Sequence, residues 1–198
     1  MKLFMDVLFF IFIGYFSYKF IQVLIKMKQK VILPVTHEEI AVIRKHPDKL
    51  VDFPTYSKQK VGIIIYSSML LFVIVMFLLG AFFQLFGWSL YLLLFLPIAN
   101  SYNLLNLFAV VEDGLLSGNR FIPWKKIKSF HFVPMDINHK YYGFSKEAND
   151  GYELRIQTRG LPISCVVTSI EMKKKLTSIL SEHVMVKEGR NKVNHVEI

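Results

Sequence analysis

Cysteine is all but missing from this sequence. Cys165 stands alone among 198 residues, so no disulfide can close within the chain. It sits in the apolar run Ile163-Ser164-Cys165-Val166-Val167 with no His or Lys beside it, which fits a small buried strand residue better than a reactive thiol. The six histidines (37, 46, 131, 139, 183, 195) are scattered. His37 precedes two glutamates, but no second histidine follows three or four residues on, so a HExxH metal helix is excluded. A phosphate-cradling glycine loop, a nucleophile–base pairing and paired carboxylates in a polar setting are also missing. The chain therefore reads as non-enzymatic, with no catalytic, metal or cofactor-binding residue and no cofactor implied.

Charge is missing in one place above all: none falls between Val61 and Phe86. What fills such gaps is hydrocarbon. Hydrophobic residues make up 53% of the chain and aromatics 15%, with a mean hydropathy of +0.39. The excess is blocked into the part before about residue 111, while the remainder has ordinary soluble composition.

Leu3–Ile25 is a first apolar stretch, broken only by Asp6, Ser17, Lys19 and Gln22. Its length corresponds to about 34 Å of helix, enough to cross a bilayer with some tilt. It is too long for a signal peptide and lacks a small-x-small cleavage site, so it reads as an uncleaved anchor. Lys19 lies in its last two turns, where the ammonium can snorkel to the headgroups; an ion pair with another span is the sharper alternative. Val61–Phe86 is the second span. Gln84–Gly87 makes a short uncharged turn, and Trp88–Asn106 forms the third span, with Trp88 and Tyr91 placed as interface aromatics. Spans two and three thus form an antiparallel hairpin over 61–106.

Asn100, Asn103 and Asn106 recur every third residue of the third span, after Pro97. On one helical face they would hydrogen-bond to another span; a substrate path is the alternative, although the stripe has no ionisable member. Residues 26–60 carry eight Lys or Arg against four acids, residues 112–198 carry fourteen against ten, and the 84–87 turn carries none. The positive-inside rule then puts the 26–60 loop and the C-terminal region in the cytoplasm, and the N-terminus and hairpin turn outside. The overall charge of +9 follows from that bias, so no nucleic-acid partner is expected. Lys26, Lys28 and Lys30 sit where anionic headgroups would attract them. Thr36-His37-Glu38-Glu39 fits a capping box that opens a short helix over 36–46, stopped by Pro47.

After Asn106 the pattern changes to short strands and turns. Leu107–Val111, Leu115–Ser117, Arg120–Pro123, Ile127–Val133, Tyr152–Thr158 and Leu161–Val167 read as six strands, with hairpin signals at Glu112-Asp113-Gly114 and Arg159-Gly160. In Tyr152–Thr158, Leu154 and Ile156 face one side and Glu153, Arg155 and Gln157 the other. Thr168-Ser169-Ile170-Glu171 is a second capping box, and Met172, Leu176, Ile179 and Leu180 form the apolar stripe of the helix it opens. Lys173, Lys174 and Lys175 fall on its outer side, either solvated or against anionic lipid. Residues 186–198 are polar and read as a mobile tail.

Six strands and a capping helix suggest a small β sandwich or barrel over 107–185. The segments Val111-Glu112-Asp113-Gly114-Leu115-Leu116 and Phe121-Ile122-Pro123-Trp124-Lys125-Lys126-Ile127 resemble the start of a bacterial PH-like domain. Such domains recur after transmembrane hairpins in small bacterial membrane proteins, most of them uncharacterised. The resemblance implies a membrane α + β architecture: three transmembrane helices, then a PH-like domain whose core motif is Gly114, Trp124 and Ile127. Phosphoinositide-binding relatives carry cations in the first hairpin, where this chain has Glu112 and Asp113. The expected role is a multi-pass membrane protein presenting a cytoplasmic interaction domain, a scaffold or regulator. Its partners would be the lipid bilayer and a protein, or a second copy of the chain. Immunity against a membrane-active peptide and service as a transporter subunit are the alternatives.

Overall fold

A computed structural model describes residues 2–83 and 88–193. The expected turn at 84–87 and the last five tail residues lie outside that range, as do the side chains of Trp88 and Tyr91. Two long helices, α1 (Lys2–Lys26) and α3 (Tyr56–Phe83), are both long and apolar enough to cross a membrane. They pack side by side, with Phe20 and Tyr66 rings 4.3 Å apart and Tyr56 Oη donating to Leu24 O at 2.6 Å. Helix α4 (Trp88–Asn100) leans on α1 through stacked Phe9 and Phe95, 5.2 Å apart. Its thirteen residues span only about 20 Å, well short of a hydrocarbon core. The expected third span to Asn106 is therefore not helical throughout. Pro97 removes one helical donor, and Ser101–Asn103 tightens into a 3-10 turn.

The rest of the chain builds two antiparallel sheets. The six expected strands are present as β4 (Phe108–Val111), β5 (Gly114–Ser117), β6 (Arg120–Pro123), β7 (Ile127–Pro134), β8 (Tyr152–Thr158) and β9 (Ile163–Val167). Three further strands come from the 26–60 segment: β1 (Val31–Leu33), β2 (Ile43–His46) and β3 (Lys49–Leu50). One sheet runs β1-β4-β5-β6 and the other β3-β2-β9-β8-β7. The segment expected to be a cytoplasmic loop thus supplies strands to both sheets. Its helix is also shorter than expected: α2 (His37–Ala41) keeps the Thr36–Glu39 capping box, but Val42 leaves it and Ile43 and Arg44 pair with Val167 and Val166 of β9. β-Branched residues gain more from this buried ladder than from another helical turn.

A single core fills the space between the sheets: Leu33, Ile43 and Val51 meet Phe108, Val110, Leu115, Leu154, Ile156 and Val167. Helix α5 (Ile170–Val193) closes it with Met172, Leu176 and Leu180 and continues through most of the expected tail. Gly114 belongs at the first hairpin for a steric reason. A Cβ there would lie 2.1 Å from Ile122 O. Trp124 locks the same hairpin by donating from Nε1 to Glu112 O at 2.8 Å, while its ring stacks on His183 at 3.8 Å. Ile127 is buried in the core.

All four residues of β4 are buried. Phe108 and Val110 face the second sheet, whereas Ala109 and Val111 join Leu116 and Phe121 against Val23 and Met27 at the end of α1. That double covering explains why Leu107–Val111 is continuously apolar rather than alternating. The same junction brings Gly62 of α3 so close to the 104–105 backbone that a Cβ would meet Leu104 O at 3.0 Å.

Candidate functional site

The lysines expected to touch lipid are mostly engaged by protein groups. Lys26 pairs with Asp113, and Gln29 Nε2 donates to the same carboxylate at 2.8 Å. Those two hydrogen bonds hold the Asp113 carboxyl below its ordinary range. Lys28 lies over the Tyr56 ring at 5.8 Å, and Lys173 lies over Tyr152 at 3.7 Å. Lys175 pairs with Glu39 of the capping box. Lys30 and Lys174 are exposed.

The expected asparagine stripe is dispersed, because α4 ends at Asn100. Asn100 Nδ2 donates to Leu96 O, one turn back in its own helix, at 2.9 Å. Asn103 is exposed. Only Asn106 is buried, and it works as a clamp. Its Nδ2 donates to Leu50 O at 2.6 Å and Asp52 Oδ2 at 2.9 Å, and its backbone exchanges two 3.1 Å bonds with the Gln59 amide of α3.

A different set of cations converges where the apolar helices meet the sandwich. A cavity of about 450 Å³ opens there. Lys19 approaches from α1, Arg120 from the start of β6, Lys126 from the 3-10 turn Trp124–Lys126, and Arg159 from the β8–β9 turn. No carboxylate among the described residues lines it. Aromatic and apolar side chains complete the lining, among them Tyr15, Phe16, Tyr66 and Ile98, and Lys19 Nζ lies 5.8 Å over the Tyr15 ring. Beside the cations, Asn119 is already committed: its Oδ1 accepts from Leu105 N at 3.0 Å and its Nδ2 donates to Ser101 O at 2.7 Å. The amide therefore fixes the β5–β6 turn under the cavity rather than offering itself to a ligand.

Nothing matches this chain among protein families, curated proteins or solved structures.

Arg120 also lines a second cavity of about 450 Å³, together with Lys45, His46 and Lys49. Lys45 Nζ donates to Leu105 O at 2.5 Å. Burial, aided by the neighbouring Lys49 and Arg120 charges, pushes this ammonium down to about 7. Cations thus crowd both sides of Arg120.

The remaining polar centre is Glu153, expected on the face opposite Leu154 and Ile156 and fully buried. The β7–β8 excursion covers it. His139 Nε2 lies 3.0 Å from its carboxylate, Lys140 Nζ 2.9 Å and the Arg155 guanidinium 2.6 Å. Burial would raise this carboxyl, but the Lys140, Arg155 and His139 contacts outweigh it and hold it below the ordinary glutamate value. His139 Nδ1 accepts from Tyr141 N at 3.2 Å, so the group pins a loop. Other histidines are similarly occupied: His37 sits edge-on to Phe53, and His46 contacts Asp48. Among the described residues no His/Cys/Asp/Glu group could hold a metal. Cys165 is buried, and burial pushes its thiol up, as befits an inert core residue.

In the sequence Lys126 and Arg159 fall on turns, where solvated cations are ordinary. Only the three-dimensional path brings them beside Lys19 and Arg120. The single local signal was Lys19 itself, a cation inside an apolar run.

Proposed function

We propose that this is a non-enzymatic membrane protein, anchored by α1 and α3, which presents a PH-like interaction domain on the cytoplasmic side as a scaffold or regulator. The observation that carries the reading is the bare hydrocarbon exterior of the two helices. Phe4 is 70% exposed, Phe10 68%, Leu71 62% and Phe82 80%. Water would not tolerate so large a continuous apolar surface, whereas acyl chains would cover it without cost. The cation bias of 26–60 and 112–198 favours an inward sandwich. His37, His46, His139 and Glu153 are held in contacts within the fold, which favours a binding role over catalysis.

The docking of Ala109 and Val111 on the end of α1 gives the proposal a specific form. The domain is seated on its anchor, not tethered to it, so a partner would meet it at fixed height and orientation. Crosslinking in intact cells, followed by solubilisation, tests this role. A discrete adduct with a protein partner or a second copy is expected, and Gly114→Asp, which unseats the first hairpin, should abolish it. An adduct pattern unchanged by Gly114→Asp would contradict a role for the sandwich.

A further inference from the structure

We propose that the basic cavity between α1, α3 and the sandwich binds the phosphate-bearing headgroup of an anionic phospholipid. This deepens the membrane reading above and rests on it. Lys19, Arg120, Lys126 and Arg159 line the cavity from four separate elements, and no carboxylate among the described residues lines it. Bringing cations together costs Coulomb energy that an anion would relieve, and guanidinium and ammonium groups are the usual partners of phosphate oxygens. The volume of about 450 Å³ suits a headgroup with its glycerol.

The second half of the cavity selects for an amphiphile. Tyr15 and Phe16 line it, and Tyr15 is 55% exposed on the outer surface of α1, continuous with Phe12 and Ile11. A phosphate on the four cations would therefore leave its acyl chains on the apolar flank of α1. Lys19 lies near the end of α1 that joins the sandwich, which is the depth of the headgroup layer if α1 crosses the bilayer. A soluble phosphate would use the cations and make no use of the apolar flank.

The test uses the full chain in neutral detergent micelles doped with either phosphatidylglycerol or phosphatidylcholine, with bound lipid counted by native mass spectrometry. Lys126 and Arg159 are exposed and on turns, so Lys126→Gln/Arg159→Gln leaves the core untouched. Phosphatidylglycerol is expected to bind in preference to phosphatidylcholine, and the double variant should weaken it by about thirtyfold. Lys128→Gln/Lys146→Gln, which removes two exposed cations outside the cavity, should leave it unchanged. Equal binding of the two lipids, or a double variant that binds like the parent chain, overturns the site. Full displacement by millimolar inorganic phosphate or glycerol phosphate overturns the lipid and points to a soluble anion. Carbonate extraction of cell membranes is scored separately. Release of the chain there sinks the membrane reading itself, whereas retention with no lipid preference sinks only this site.

Discussion

Glu153 ties the stability of the sandwich to pH. Its carboxylate is fully buried and held by His139, Lys140 and Arg155. Removing one member of a buried charged group leaves the others uncompensated, so Glu153→Gln should cost about 3 kcal/mol of stability at neutral pH. The folded carboxyl titrates below its unfolded value. Its contribution is therefore complete above the ordinary glutamate range and is lost as pH falls through the folded value. Thermal midpoints in detergent from about pH 6 to about pH 3 should drop more steeply for the parent chain than for Glu153→Gln. Parallel curves would mean that the carboxylate is not held in its charged form by these partners.

At the scale of elements, the sandwich depends on strands donated across a helix. β1 pairs with β4 and β2 with β9, and Leu33, Ile43 and Val51 enter the core. A fragment of residues 107–198 therefore lacks two sheet neighbours and three core side chains, and it exposes two strand edges. It should aggregate or unfold without cooperativity by circular dichroism. Linking residues 27–55 to 105–185 should restore a cooperative transition. Independent folding of the shorter fragment would show these strands to be accessory.

The six strands from β4 to β9 were legible because each pairs with a sequence neighbour or carries a turn signal such as Glu112-Asp113-Gly114 or Arg159-Gly160. β1, β2 and β3 were not, since they are three, four and two residues long, and the partners that place β1 and β2 in the sheets, β4 and β9, lie far along the chain. Periodicity cannot be read over so few positions. The Thr36 box marked where α2 starts, but its end was decided by β9, more than a hundred residues away. The asparagine spacing implied a shared face only while the helix was assumed to continue past Asn100.

For the whole molecule, the anchor and the domain share one junction, built by Val23 and Met27 on one side and Ala109, Val111 and Phe121 on the other. The basic cavity sits beside it, which is why no stretch of sequence announces it. The apolar exterior and the distribution of charge were legible as a membrane pattern; the seating of the sandwich on α1 was not, because both partners simply read as hydrophobic. Orientation is the claim on which the rest depends. Cys165 is buried, so the parent chain should be silent to a membrane-impermeant maleimide and single introduced cysteines should report cleanly. In intact cells Gly87→Cys should label at once, while Lys174→Cys should label only after permeabilisation. Labelling of Lys174→Cys from outside, or protection of Gly87→Cys, would contradict the account.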